Sequence, residues 1–159
     1  MAARRNGREA RPRFIVSACL AGINCTYRGG NKHVPAIERL VSDGQAIAVC
    51  PEVMGGLIVP RENSELVGGD GSAVLSGTAK AISKSGTDLT PQYLAGAQAI
   101  LHLAKRNGIT KAILKTKSPA CGCGAVYDGT FRKVLRRGNG VLAALLLKHR
   151  ISVATEHSL

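Results

Sequence analysis

Cysteine is the residue type in this chain with the clearest capacity for chemistry. Five cysteines occur among 159 residues, at Cys19, Cys25, Cys50, Cys121 and Cys123. An odd number of thiols fits a disulfide framework poorly. Outside such a framework a cysteine binds a metal, acts as a nucleophile or packs in the core, since free cysteine is among the most buried residue types. The spacing of the cysteines and the residues around them provide the evidence that distinguishes these uses.

The cysteine spacing alone leaves three kinds of site open. Zinc sites usually contain a Cys-x-x-Cys pair, whereas the only close pair here, Cys121 and Cys123, has a single glycine between its members. Dispersed thiolates from separate loops suit an iron–sulfur cluster as well as zinc. A single nucleophilic cysteine with structural neighbours is the third alternative.

Short apolar strands alternate with helical patterns along most of the chain. The predicted strands are 14–18, 46–49, 111–115 and 151–154, and the predicted helices are 35–44, 87–108 and 141–147. Strands separated by helices with short connections are typical of a parallel sheet. We therefore predict a single three-layer α/β domain over residues 14–159, Rossmann-like, with an open, mainly parallel sheet and helices on both faces.

Two segments fall outside this alternation. Residues 51–86 are rich in Gly and Pro, which predicts an irregular excursion with a hairpin and strand-like pieces at 73–75 and 79–83. Residues 1–13 contain five arginines without an apolar period, which predicts a basic, disordered arm.

Three of the cysteines follow predicted strands. Cys19 comes directly after the first strand, Cys50 ends the second, and Cys121 lies with Cys123 in the loop after the third. The carboxyl ends of parallel strands meet at one edge of a sheet, where ligands bind. We therefore expect these three thiols to lie close together and to form a site.

Polar side chains accompany the cysteines in the same loops. Glu52, two residues after Cys50, suits a general base or a supporting partner, and equally an ordinary salt-bridged glutamate. Ser118 would present a hydroxyl next to Cys121, and equally fits a turn serine. Further charged groups in these loops are Arg28, Arg61, Lys115 and Lys117.

The chain is strongly basic, with 22 Lys or Arg against 10 Asp or Glu and a net charge of +12. This charge favours RNA as a partner, and a basic cluster lies at Arg132, Lys133, Arg136 and Arg137. An aromatic content of 3% without Trp argues against recognition of bases mainly by stacking. Because no apolar run approaches the ~20 residues of a membrane span and no export signal is recognisable, we expect a cytoplasmic location without membrane contact.

Four motifs, in matching order, resemble a known family. They are VSACLAGINCTYRGGNK at 16–32, VCPEVMGGL at 49–57 followed by Pro60 and Arg61, LKTKSPACG at 114–122, and YDGT at 127–130. The resemblance is to the family catalogued as domain of unknown function 523, and it spans about residues 14–156. The members of that family with an assigned activity are the thiouracil desulfurases.

The resemblance implies a cofactor and a reaction. It implies a four-iron four-sulfur cluster on three cysteines, which by motif are Cys19, Cys50 and Cys121. It implies removal of sulfur from a thiolated pyrimidine, a 2-thiouracil-like base or a thiouridine, without net redox chemistry. Glu52 and Ser118 stand where it implies catalytic polar groups.

Roles are also expected for other charged residues and cysteines of these motifs. Lys115 and Lys117 are expected to stabilise negative charge on the substrate ring, with Arg61 as a further substrate-binding residue. Cys25 is expected to be a spare thiol near the site, and Cys123 is peculiar to this chain. Arg28 departs from the family, which more often has Asp in that loop.

Two alternatives to the enzyme stay open. One is a basic RNA-binding module whose cysteines pack or hold zinc. The other is a zinc or sulfur carrier without catalysis. The first predicts an affinity for RNA that survives loss of iron and falls with salt.

Overall fold

Eight strands and five helices make up the computed structural model, which describes residues 11–158. The strands are β1 Phe14–Ser17, β2 Ala46–Val49, β3 Ser64–Val67, β4 Lys80–Ser83, β5 Lys111–Leu114, β6 Ala125–Tyr127, β7 Leu135–Arg137 and β8 Ser152–Thr155. The helices are α1 Pro35–Ser42, α2 Pro51–Met54, α3 Gly71–Ser76, α4 Thr90–Arg106 and α5 Val141–Lys148. Two short 3-10 helices cover Ala18–Ala21 and Glu156–Ser158.

The central sheet is formed by four parallel strands in the order β2-β1-β5-β8. Its two inner strands carry Ile15 and Val16 on β1 and Ile113 and Leu114 on β5, all of which are buried. Burial on both faces explains why these strands are continuous apolar runs rather than alternating ones. The carboxyl ends of all four strands lie along one edge.

Helices cover both faces of this sheet. On one face Ile37 of α1 packs with Val16 and Ile113. On the other face Ile15 and Leu114 pack with the buried side of α4 and with α5, in which six of eight residues are buried. The predicted three-layer, mainly parallel α/β fold is confirmed.

The segment between β2 and α4 contains the predicted hairpin, but its strands differ in part. β3 and β4 pair antiparallel, so the strand at 79–83 is confirmed. The strand at 73–75 is wrong, because those residues lie in α3. The Asp70 side chain accepts the N–H of Ala73 and thus caps this helix, a local signal that outweighs the β-branched Val74.

A second hairpin follows β5, where a loop was predicted. It pairs β6 with β7, and the turn between them has Phe131 and Lys133 at φ of 58° and 60°. The predicted basic arm at 1–13 falls mostly outside the described residues. Within residues 11–158, no helix is both long and apolar enough to cross a membrane.

Two glycines let α2 lie directly against α4. A Cβ on Gly96 of α4 would overlap the carbonyl oxygen of Pro51, and a Cβ on Gly55 would overlap the carbonyl oxygen of Gln92. Close contact of the two backbones places the start of α2, with Cys50 and Glu52, against the buried face of α4. The glycines therefore position the residues that follow β2.

Candidate functional site

A cavity of about 490 Å³ opens at the carboxyl edge of the central sheet. Cys19, Cys50 and Cys121 all line it, as the ends of parallel strands predict. Cys25 lines the same cavity, whereas Cys123 is not part of its wall. The structure thus brings the three predicted cysteines together with Cys25 around one cavity, and it leaves Cys123 outside the wall.

Each of the three thiols is supplied by a different element. Cys19 lies in the 3-10 helix directly after β1, and Cys50 is the residue before the first turn of α2. Cys121 lies in the loop after β5, where its backbone N–H donates to the Ser118 hydroxyl oxygen over 3.1 Å. All five cysteines of the chain are free.

Hydrogen bonds between thiols, together with burial, raise the pKa of Cys25, Cys50 and Cys121. A hydrogen bond with Cys19 is the main reason that the pKa of Cys25 rises to about 11. A hydrogen bond with Cys25, together with burial, raises the pKa of Cys50 above its ordinary value. Burial raises the pKa of Cys121 to about 12. Without a metal, Cys25, Cys50 and Cys121 are therefore protonated thiols at neutral pH, and any of them that binds a metal has to release its proton.

This set of donors fits an iron–sulfur cluster. Within residues 11–158, no three Cys, His, Asp or Glu side chains converge closely enough to hold one metal ion. A cluster of four irons is wider than one ion, so its thiolate ligands stand apart around a cavity. Soft thiolates from three separate loops around one cavity match that requirement.

Glu52 is the carboxylate closest in sequence to these thiols, and it is almost fully buried. Its Oε2 accepts from Arg61 Nε over 2.7 Å and also pairs with the Arg61 Nη2 group. Its Oε1 accepts from the hydroxyl of Tyr93 over 2.6 Å. Glu52 lines the cavity, so the two partners hold a carboxylate in a defined position at its wall.

Arg61, which was predicted to bind the substrate, forms several hydrogen bonds within the protein. Besides Glu52, it donates to the backbone carbonyls of Ile58 and Cys25, over 3.1 and 2.9 Å. These contacts tie together α2, the loop before β3 and the Cys25 loop. Binding of substrate by Arg61 stays a prediction, while its observed contacts are with Glu52 and the backbone.

Ser118 combines its two expected uses. Its hydroxyl oxygen accepts the backbone N–H groups of Ala120 and Cys121, which is the behaviour of a turn serine. The same side chain lines the cavity beside Cys121. The hydroxyl is therefore fixed next to one of the candidate ligands.

The basic residues of the cavity fall into two groups. Lys115 donates to Glu156 Oε1 over 2.9 Å, and Glu156 also accepts from the Thr116 N–H and hydroxyl. Lys32, Lys117 and Lys133 line the cavity and are exposed, and none of them forms an ion pair with any described residue. These three are thus the lysines whose charge is available to a ligand.

Glu156, Tyr93 and Glu65 are among the polar residues in or around the cavity wall that the sequence did not single out. Glu156 directly follows β8 and would have been found by the same strand-end argument that selected the cysteines. Tyr93 sits at an apolar position of α4 and carries no separate signal. Glu65 lies on β3, in the segment predicted to be irregular, and is buried in the cavity wall.

The other features singled out in the sequence lie around this site. The Arg28 guanidinium stacks 5.5 Å from the ring centre of Tyr27, a residue that lines the cavity. The basic cluster Arg132, Lys133, Arg136 and Arg137 is exposed on the β6–β7 hairpin.

Comparison with known proteins places the chain in a family. The profile of the 2-thiouracil desulfurase family matches residues 14–158. An uncharacterised protein of Bacillus subtilis, YbbK, is 43% identical over 146 residues, which cover 92% of this chain and 97% of the relative. A solved structure, the 4Fe-4S-dependent thiouracil desulfidase TudS, superposes with a TM-score of 0.82 at 38% identity over 93% of each chain.

These matches confirm the resemblance found in the four motifs, and they cover the whole α/β unit. The fold of the neighbour agrees with the parallel sheet described above. The roles of individual residues stay predictions. The chain belongs to the 2-thiouracil desulfurase family.

Proposed function

We propose that this protein is an iron–sulfur-dependent desulfidase, which hydrolyses the C=S bond of a thiolated pyrimidine to C=O and releases hydrogen sulfide. The observation that carries the proposal is the convergence of Cys19, Cys50 and Cys121 from three strand ends on one cavity. An enzyme of this class, with a 4Fe-4S cluster, is what the family and its solved neighbour support. The free thiols suit a reducing compartment such as the cytoplasm.

The three cysteines would be the protein ligands of the cluster. With three thiolates on four irons, one iron keeps an open position, and there it would act as a Lewis acid toward the soft thiocarbonyl sulfur. Cys25 would be a fourth thiol held against the ligands without being one of them. Cys123 lies outside the cavity wall and would take no part.

Glu52 and Ser118 would bind and activate the attacking water. Glu52 is fixed by Arg61 and Tyr93, and a carboxylate has lone pairs left beyond the contacts that these two make. We assign to its carboxylate the removal of a proton from the water that attacks the thiocarbonyl carbon. Ser118, fixed by the turn before Cys121, would hold this water or the ring in place.

The reaction balances without an oxidant or a reductant. Water supplies the oxygen of the new carbonyl, and its two protons leave with the sulfur as hydrogen sulfide. Lys117 is the cation that would stabilise negative charge on the ring, because Lys115 is already paired with Glu156. In this arrangement Arg61 positions Glu52 rather than binding the substrate.

A thiolated residue within RNA is a second candidate substrate. The exposed arginines of the β6–β7 hairpin stand next to Lys133, which reaches the cavity. Such a cluster would neutralise phosphates on either side of an inserted base. On this hypothesis, turnover of a thiouridine-containing RNA is faster than that of the free base, and its KM rises steeply with salt.

The decisive test uses protein purified without oxygen and reconstituted with iron and sulfide. We expect about four irons and four labile sulfides per chain, and loss of the thiocarbonyl absorbance of 2-thiouracil with equimolar formation of uracil and sulfide. A reconstituted protein with no iron, or with a full cluster and no release of sulfide, would overturn the proposal.

Cys121 and Cys123 provide a matched pair of variants. Cys121→Ser should lose the cluster and all turnover, because it removes a ligand from the cavity wall. Cys123→Ser should keep both the iron content and the rate, because that thiol is not part of the wall. Equal loss in the two variants would contradict the assignment of ligands.

A further inference from the structure

Glu65 is a buried carboxylate in the wall of the cavity for which the proposed reaction has no use. It lies in the middle of β3, and 3% of the residue is exposed. The residues of the four family motifs do not include it. A charged side chain this deeply buried requires partners for its oxygens.

One oxygen of Glu65 is occupied by the backbone of the β6–β7 turn. Its Oε1 accepts the N–H of Gly129 over 3.0 Å and the N–H of Phe131 over 3.1 Å. Phe131 has a positive φ of 58°, which is uncommon for a residue with a bulky side chain. Glu65 therefore stabilises this turn at the mouth of the cavity.

The other oxygen has no partner. Within residues 11–158, Glu65 Oε2 forms no hydrogen bond and no ion pair. Among the same residues, the sole fully enclosed side-chain polar atom without a partner is Gln92 Oε1. Glu65 Oε2 consequently keeps access to the cavity, where it is an unpaired hydrogen-bond acceptor.

We propose that Glu65 Oε2 accepts the ring N3–H of the substrate, and so selects uracil-type over cytosine-type rings. This inference rests on the proposed function, since it identifies the substrate of the same cavity. A thiolated uracil has an N–H at position 3, next to its thiocarbonyl, and a carboxylate accepts it well. A thiolated cytosine has a lone pair at the same position, which a buried carboxylate repels.

This contact also sets the direction of the ring. With N3–H on Glu65, the sulfur is restricted to two places in the cavity, which a flip of the ring about its N3–C6 axis exchanges, whereas a ring without that anchor would bind in more orientations. The unpaired lysines of the wall, Lys32, Lys117 and Lys133, are donors suited to the remaining carbonyl of the ring.

Substitution of Glu65 by Gln separates the two oxygens of the carboxylate. The amide oxygen still accepts from Gly129 and Phe131, while the amide nitrogen presents a donor to the cavity where an acceptor was. The turn is thereby retained and the substrate contact is lost. The matched control is Glu62→Gln, an exposed carboxylate bonded to Ser85 and outside the wall.

Binding of uracil, 1-methyluracil and 3-methyluracil to the cluster-free protein provides the first measurement, because these ligands need no iron. We expect the wild type and Glu62→Gln to bind 3-methyluracil roughly 10- to 100-fold more weakly than 1-methyluracil, the range of a charge-assisted hydrogen bond. In Glu65→Gln this preference should disappear. If the cluster-free protein binds none of the three, KM values of the reconstituted enzyme for 2-thiouracil and its 3-methyl derivative decide by the same criterion.

The outcomes distinguish this inference from the proposed function. Turnover of 2-thiouracil with no discrimination against the 3-methyl ring, or discrimination that survives Glu65→Gln, overturns the role of Glu65 and leaves the desulfidase standing. A preference for N3–H that depends on Glu65, without turnover by a full cluster, overturns the desulfidase alone. Iron content equal to that of the wild type is required of both variants.

Discussion

The Tyr93 hydroxyl donates a hydrogen bond to Glu52 Oε1 over 2.6 Å, although the two residues are 41 positions apart in the chain. Tyr93 is 1% exposed and lies in the first turn of α4, facing the core. Burial, reinforced by the Glu52 charge, raises its pKa well above the usual value, so the phenol remains a proton donor. The hydrophobic core therefore supplies a fixed hydrogen bond to the carboxylate of the site.

Tyr93→Phe tests this link. The variant keeps the ring but leaves Glu52 Oε1 and the hydroxyl of Ser64 without their shared partner. We expect a loss of about 1–3 kcal/mol in the free energy of unfolding, because two buried polar groups lose a hydrogen bond. We also expect a lower kcat with little change in KM, since Tyr93 is not part of the cavity wall.

Urea unfolding and steady-state kinetics measure the two effects. Tyr127→Phe is the control for stability, because the Tyr127 hydroxyl forms no hydrogen bond with residues 11–158. If Tyr93→Phe has the stability and kcat of the wild type, the Tyr93–Glu52 hydrogen bond contributes to neither.

We expect the forked geometry of the Arg61 guanidinium, and not its charge alone, to contribute to the stability of the protein. Its guanidinium contacts Glu52 with two nitrogens in a pair whose side chains are 9% and 12% exposed. Arg61→Met leaves a buried carboxylate without its cation and should cost about 3–5 kcal/mol. Arg61→Lys keeps the charge but not the fork, so it should recover only part of the stability.

The double variant Glu52→Gln with Arg61→Met completes this test. Removal of both charges should restore much of the stability lost in Arg61→Met, while turnover stays absent because Glu52 is gone. A double variant as unstable as the Met variant would show that Arg61 acts through the Ile58 and Cys25 carbonyls instead.

The convergence of the three cysteines was predictable because it follows from topology. Once Cys19, Cys50 and Cys121 are placed after parallel strands, the geometry of the sheet brings them to one edge without knowledge of the loops. Glu156 directly follows β8, so the same rule would have predicted its position at this edge.

The side chains that complete the site were not predictable in this way. Tyr93 occupies a core position of a helix, where a tyrosine and a phenylalanine fit the apolar period equally. Glu65 lies on a strand of the excursion, whose pairing depends on contacts distant in the chain. The helix α3 was misread because Ala73, Val74 and Leu75 suit either structure, and the Asp70 cap decided the outcome.

Gly96→Ala should disturb the site from a distance. The added methyl group would overlap the Pro51 carbonyl and push α2 away from α4. We expect a loss of about 1–3 kcal/mol in stability, together with less iron per chain, because Cys50 and Glu52 move with α2. Gln98→Ala, on the exposed side of α4, is the control and should keep stability and iron. Full cluster content in Gly96→Ala would show that α2 adapts without displacing Cys50.

Glu156→Gln should change how stability depends on pH. Burial alone would raise the pKa of Glu156, but hydrogen bonds from Lys115 and Thr116 outweigh it and lower the pKa to about 2. A carboxyl whose pKa is depressed by folding stabilises the protein above its unfolded value near 4.5, and this contribution fades as the pH falls toward about 2. The wild type should therefore be more stable than Glu156→Gln at pH 6, and the difference should shrink steadily below about pH 4.5. Urea unfolding of both proteins between pH 6 and the lowest pH at which they stay folded measures it, and a difference that does not depend on pH would mean that the Glu156 charge contributes nothing to the pairing with Lys115.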